Sequence, residues 1–122
     1  MATHITIQQA VRLSKGAMKH EFTPPQLSLE QTGALVYDNT VSVGTSEETA
    51  GPSFGDISTE GLCVIYNLDA TNYVQVGFAT GVYGMRLRGG SSPAVFFLEP
   101  GATIYLKANT AACNVRIIVY EF

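Results

Sequence analysis

Paired carboxylates can act as general acid and general base, so the acidic residues of this 122-residue chain are the first candidates for chemistry. Glu47 and Glu48 are adjacent in a loop-like segment, whereas a glycosidase holds two carboxylates on rigid elements at a set separation. We interpret them as a solvated pair. The remaining acidic candidates lie at predicted strand ends or turns, where such side chains usually accept local backbone hydrogen bonds: Asp38, Asp56, Asp69 and Glu99.

Thiols and imidazoles offer a second kind of chemistry. Cys63 lies in an apolar run, which raises a thiol pKa and makes the group inert, and Cys113 has no histidine near it in sequence. Two buried free thiols are the favoured interpretation, with a disulfide as the alternative. His4 and His20 are isolated and lack metal-ligand spacing, so we expect surface positions and no metal site.

Glycines and serines complete the search for an active site. The pattern Gly-x-Ser-x-Gly occurs once, at residues 51–55 (GPSFG), inside the loop-like segment 44–55 rather than at a strand-to-helix turn, so we expect no nucleophile elbow. Gly77, Gly81, Gly84 and the Gly89-Gly90 pair lie between predicted strands, whereas a phosphate-binding loop needs a helix after it. We therefore predict no catalytic, cofactor-binding or metal residues, no cofactor, and a protein that is not an enzyme.

Composition narrows the class of partner. Charged residues make up 14% of the chain, well below the roughly 25% of an average soluble domain, which favours an uncharged surface that faces a partner over a solitary Ser/Thr/Asn-rich one. The seven Lys and Arg residues are scattered and the net charge is −3, so we expect no nucleic-acid partner. Neither a signal peptide nor an apolar run long enough for a membrane span is recognisable, which predicts synthesis in the cytoplasm without membrane insertion.

The second half of the sequence is dominated by strand signals. Residues 61–68 form a dense apolar run, residues 72–78 alternate, and the polar turn between them predicts a β-hairpin. In 72–78 the alternation places Val74, Val76 and Phe78 on one face. Further strands are predicted at 83–88, 94–98, 102–108 and 115–122, with turn clusters between them, among them 89–93. Turns every ~8–12 residues predict an antiparallel sandwich or barrel.

The first half is less regular. Odd-numbered apolar residues favour strands, although residues 8–18 also fit one helical stretch. Lys15-Gly16 would turn the chain, and Pro24-Pro25 marks a loop or an edge. Residues 34–43 continue the β pattern with an interruption at 38–40, and residues 44–55 are predicted to be a long connection suited to partner contact. We predict one β-sandwich domain over residues 1–122, with an extended N-terminal arm at 1–7.

Three segments resemble parts of small virion structural proteins of tailed bacteriophages. They are residues 61–77, from Gly61 through the phrase YNLDATNYVQVG, residues 103–112, TIYLKANTAA, and the terminal VYEF. The resemblance covers mainly residues 40–122. It implies an all-β antiparallel β-sandwich of jelly-roll form that joins a particle through symmetric contacts, and it carries no functional residues over.

Among such virion proteins, capsid decoration (cement) proteins are the best fit. They bridge neighbouring capsomers, commonly as trimers, which implies a homotrimer, a major capsid protein or another virion subunit as partner, and location in the virion. Tail, baseplate or host-attachment components are the alternative. Five tyrosines in the β-rich half leave a carbohydrate-binding module open as another: Tyr66, Tyr73, Tyr83, Tyr105 and Tyr120. Residues 1–7, 44–55 and 89–93 are the candidate contact segments.

Overall fold

The structure is a computed structural model that describes residues 3–122. Within those residues all helical classes are absent and the regular structure is antiparallel β-sheet, so the predicted all-β class is confirmed. Chain contacts group into two compact units, Met1–Thr32 and Gly33–Phe122. The prediction that residues 1–122 form one domain stays a prediction.

The first unit contains two small two-stranded sheets. Strand β1 (Ile5–Ile7) pairs with β4 (Leu27–Leu29), and β2 (Val11–Lys15) pairs with β3 (Met18–Phe22). Gly16 connects β2 to β3 at a φ of 57°, a left-handed conformation that glycine adopts without a steric penalty. This hairpin confirms the strand interpretation of residues 8–18 over the helical one.

The described part of the first unit has no core of its own. Every side chain from residue 3 to residue 32 is exposed or only half-buried. The predicted arm at 1–7 begins outside the described residues and ends in β1, which is paired with β4. A two-stranded hairpin is marginally stable alone in water. Burial of the exposed apolar side chains of this unit against a partner would therefore stabilise it.

The second unit, residues 33–122, consists of two four-stranded antiparallel sheets. Its eight strands are β5 (Val36–Val43), β6 (Glu48–Ala50), β7 (Glu60–Asn67), β8 (Val74–Gly77), β9 (Met85–Leu87), β10 (Pro93–Phe97), β11 (Ile104–Ala108) and β12 (Cys113–Glu121). The order in sheet 1 is β10-β7-β12-β5, and the order in sheet 2 is β6-β11-β8-β9. Pro93, which cannot donate to a ladder, begins the edge strand β10.

The hydrophobic core of the second unit is built from the inward faces of both sheets. Ile104 and Leu106 of β11 are buried, as the alternation in the sequence predicts, and so are alternate residues of β12. The core residues of sheet 1 and of sheet 2 are in one cluster: Val43, Cys63, Ile65, Val115, Ile117 and Val119 with Val74, Val76, Leu87, Ile104, Leu106 and Ala108. This is a sandwich-like arrangement, and the finer jelly-roll topology stays a prediction.

The predicted hairpin between residues 61–68 and 72–78 is wrong. Strand β7 pairs with β10 and β12 in sheet 1, whereas β8 pairs with β11 and β9 in sheet 2. Asn67 lies at this crossing and is fully buried; its Nδ2 donates to the carbonyl oxygens of Asn72 (3.0 Å) and Leu87 (3.1 Å). The turn therefore carries the chain from one sheet to the other.

Two further expectations need correction. Strand β5 runs without interruption through residues 38–40, so Asp38 lies mid-strand rather than at a strand end. The segment 44–55 is not purely loop, because Glu48–Ala50 forms β6 and pairs with β11. Phe54, in the same segment, is buried in the core and stacks edge-on against Tyr37 with ring centroids 5.5 Å apart. Core packing therefore anchors this segment.

Candidate interaction surface

The acidic pair in the 44–55 segment organises local backbone. Glu47 accepts hydrogen bonds from the Tyr83 hydroxyl at 2.6 Å and from the Gly81 backbone N–H at 2.8 Å, and these lower its pKa. The same bond raises the pKa of Tyr83 to about 12. Glu48 accepts instead from the backbone N–H of Gly44. The two carboxylates thus bind different partners: Glu47 binds residues outside the segment, and Glu48 binds Gly44 within it.

Asp69 serves the turn that leaves sheet 1. Its Oδ2 accepts hydrogen bonds from the backbone N–H groups of Asn72 at 2.6 Å and of Thr71 at 3.0 Å, which lower its pKa. This is the local backbone role predicted for acidic residues at turns.

Both thiols are free and buried. Burial raises the pKa of Cys63 to about 12 and also raises the pKa of Cys113, so the favoured interpretation of two buried free thiols is confirmed. His4 and His20 are exposed, and His4 Nδ1 accepts a hydrogen bond from the backbone of Gln31 at 3.1 Å. Across residues 3–122, no three His, Cys, Asp or Glu side chains cluster as a metal site would require.

The outer face of sheet 1 is unusually apolar. Cross-strand register places Phe97 of β10, Leu62 of β7, Tyr120 of β12 and Val36 of β5 in one row on that face. The fractional exposure of Phe97 is 56% and that of Val36 is 53%, although both belong to regular strands, whereas Leu62 in the same row is buried, with an exposure of 3%.

A second row on the same face is apolar over three strands. Val95, Val64 and Ile118 are neighbours in the register, and each is half-buried. The seven apolar or aromatic side chains of the two rows define what we call the apolar face: Val36, Leu62, Val64, Val95, Phe97, Ile118 and Tyr120. In a sandwich that stands alone, the outer face of a sheet is normally polar.

Sheet 2 provides the contrast within the same unit. Its outward residues on β11 are Tyr105 and Lys107, which lie opposite Gly77 and Gln75 of β8. Arg86 follows on β9 beside Gln75 and lies over the Tyr73 ring, 3.9 Å from its centroid. This outer face is polar and suited to water, whereas that of sheet 1 resembles the apolar centre of a protein interface.

A charged pair borders the apolar face. Arg116 of β12 donates from Nε to Asp38 Oδ1 at 2.8 Å and from Nη2 to Oδ2 at 2.6 Å, in a two-point geometry. This bond lowers the pKa of Asp38 and raises that of Arg116. Ile118 lies opposite Asp38 in the register, so the ion pair, whose charges neutralise each other, is directly adjacent to the apolar face.

Two apolar grooves share Phe78: one lies beside the edge strand β10 of sheet 1, and the other lies over β8 and β9 of sheet 2. Phe97, Leu98 and Phe78 line one of about 240 Å³, with Glu99 at its side. Phe78 also lines a second groove of about 310 Å³ with Val82. Phe78 is 49% exposed and Val82 is 63% exposed, so the prediction that Phe78 shares the inward face of β8 is wrong. Strand β8 ends at Gly77, and the chain turns before Phe78 can continue the alternation. We call these the Phe78 grooves.

The sequence contained a signal for the apolar face that alternation alone did not resolve. Residues 61–68 and 115–122 are apolar at positions of both parities, which in an antiparallel sheet means that both faces are apolar. Of the candidate contact segments, 89–93 forms a turn at residues 89–91, with Gly90 N–H donating to Asp69 O at 2.8 Å, and β10 begins at Pro93. The tyrosines divide between surfaces: Tyr66 and Tyr120 face outward on sheet 1, and Tyr105 on sheet 2.

The sequence matches no known family description, and neither a curated protein nor a solved structure is significantly similar to it. Residues 3–122 hold no helix of the length and apolarity that a membrane span requires.

Proposed function

We propose that the chain is a non-enzymatic structural subunit of a phage particle, and that it acts as a capsid decoration protein attached through the apolar face of sheet 1. The observation that carries this proposal is the asymmetry of the sandwich. The outer face of sheet 1 presents two apolar rows, whereas that of sheet 2 presents Lys107, Gln75 and Arg86.

This asymmetry suits a protein that covers a larger surface. One face would be buried against the shell and the other would remain in water. A specific interface of about 1,600 Å² in total is an ordinary size, and many copies on one particle would add avidity. The small charged fraction of the sequence supports the same role, because charged side chains are depleted from interface centres.

Fractionation of virions of the phage that encodes the chain tests the proposal. Virions are partly dissociated, shells and tails are separated, and each fraction is analysed by mass spectrometry. The proposal predicts the chain in the shell fraction, in a copy number that follows the capsid symmetry. Recovery with tails would favour the tail or baseplate alternative, and absence from both fractions would reject a virion role.

A rebinding assay tests the attachment surface itself. Shells stripped of the chain are mixed with recombinant protein and sedimented. We expect Ile118→Asp, on the apolar face, to abolish binding. The matched control is Gln75→Asp, which adds the same charge to the outer face of sheet 2 and is expected to bind normally. Equal binding by both variants would contradict attachment through sheet 1.

A further inference from the structure

The β2–β3 hairpin of the first unit has two chemically different faces. Register places Val11 opposite Phe22, Leu13 opposite His20 and Lys15 opposite Met18, and directly opposed residues point to the same side. The other side carries Arg12 and Glu21, which form an ion pair at 3.4 Å, together with Ser14 and Lys19.

The first of these sides, the hairpin's apolar face, is uncovered. The exposed fractions of its four hydrophobic side chains are 65% for Val11, 43% for Leu13, 60% for Met18 and 58% for Phe22. Since described residues 3–32 include no buried side chain, this unit lacks the apolar burial on which a stable small fold depends. Burial of the hairpin's apolar face against a partner would therefore stabilise this unit.

We infer that the hairpin's apolar face seats in the Phe78 grooves of a second copy of this chain. The grooves measure about 240 and 310 Å³. A cavity of about 150 Å³ accepts a benzene-sized group, so the grooves have room for the Phe22 ring and the Met18 side chain.

Charge supports the same pairing. The hairpin's apolar face carries Lys15 and His20 and no acidic residue. The described residues lining the grooves include one charged side chain, Glu99. Lys15 can therefore lie near the opposite charge of Glu99 at the rim while the hydrophobic side chains fill the grooves. This charge pairing favours one orientation of the hairpin in the grooves over others.

Such a contact joins two different surfaces, so it is heterologous. Repetition of a heterologous contact closes into a ring when the rotation permits, and a trimer is one such ring. Apart from Phe97, which lines one groove, the contact leaves the apolar face of sheet 1 to a different partner. The inference deepens the proposed assembly role, on which it rests, by naming the partner of the hairpin.

Sedimentation of the isolated full-length chain tests the inference, and Leu13→Asp is compared with Ser14→Asp. The two variants add the same charge to opposite faces of one exposed strand. The inference predicts an oligomer for the wild type and for Ser14→Asp, and association weaker by roughly tenfold or more for Leu13→Asp. Circular dichroism melts check that both variants keep the fold. A monomeric wild type, or equal masses for the two variants, would overturn the inference.

Mixed-chain cross-linking tests the geometry. One chain carries Phe22→Cys and the other carries Val82→Cys, and mild oxidation follows mixing. A disulfide-linked dimer in the mixture, and not with either chain alone, is the expected result. Cross-linking of Phe22→Cys chains with each other, or none in the mixture, would overturn the inference. Either test can fail while virion fractionation and shell rebinding succeed, because none of these variants changes a residue of the apolar face of sheet 1.

Discussion

Arg116 and Asp38 form a two-point ion pair across the β5–β12 pairing, with N–O distances of 2.8 and 2.6 Å, at the border of an apolar sheet face. Each charge neutralises the other, so the pair can enter an interface without leaving a bare charge there. If the apolar face is the attachment surface, the pair acts as part of it.

A double-mutant cycle on this pair is the first prediction. We expect Arg116→Leu to weaken shell binding by about tenfold or more, because it leaves Asp38 unpaired against the partner. Adding Asp38→Leu to the same chain should restore most of the binding, since no charge then remains to be desolvated. Co-sedimentation measures all four chains, and a double variant as weak as the single one would contradict the role of the pair.

Adjacent isoleucines on β12 separate stability from attachment. Ile117 is fully buried, so Ile117→Ala should lower the free energy of unfolding by about 2–5 kcal/mol. Ile118 points outward and is half-buried, so Ile118→Ala should cost clearly less stability and instead weaken shell binding. Denaturant unfolding and co-sedimentation are the two measurements. A loss of stability as large for Ile118→Ala as for Ile117→Ala would show that the two faces are not distinct.

Gly77 lies where two backbone segments approach closely. A Cβ atom there would clash with the carbonyl oxygen of Val82, so the backbone would have to move and Gly77→Ala should destabilise the fold by about 1–3 kcal/mol. Gly84→Ala is the control, because a Cβ at Gly84 would meet no atom within 4 Å. Thermal unfolding compares the variants, and equal melting temperatures would be inconsistent with the close approach.

Glu121 gives the fold a dependence on acid pH. Its carboxylate accepts hydrogen bonds from the backbone N–H groups of Ser58 at 2.9 Å and Ala34 at 3.1 Å, and these lower its pKa from 4.5. A lowered folded-state pKa means that this stabilisation is complete above about pH 4.5 and is lost as pH falls through the folded value.

Glu121→Gln tests this dependence. The variant cannot ionise at this position, so it should be less stable than the wild type at neutral pH, and the difference should shrink below pH 4.5. Thermal unfolding from pH 3 to pH 7 measures the effect. A difference that is constant over this range would mean that Glu121 does not carry the pH dependence.

The inward faces of the strands could be predicted from sequence because burial imposes alternation. Ile104 and Leu106, and likewise Ile117 and Val119, are buried as their parity predicts. Strand partners were harder to predict, because pairing depends on distant contacts. The polar turn after Asn67 suggested a hairpin, yet the Asn67 side chain binds Leu87 O and the chain changes sheets there.

The candidate surface was less visible still. Phe97, Tyr120 and Val36 are far apart in sequence and form a row only through the registers of three strand pairs. Phe78 appeared inward from alternation, but β8 ends before it. The sequence alone predicts that no catalytic arrangement is present. The difference between the two outer faces becomes visible only when the strand pairing is known.

The orientation of the chain on an intact particle tests the central claim most directly. A cryo-electron microscopy map of a virion containing the chain would show which outer face meets the neighbouring subunit. The account predicts that Val64, Val95 and Ile118 lie in the contact, with Lys107 and Gln75 of sheet 2 facing solvent. A map in which sheet 2 meets the shell while the apolar face of sheet 1 lies open to water would contradict it.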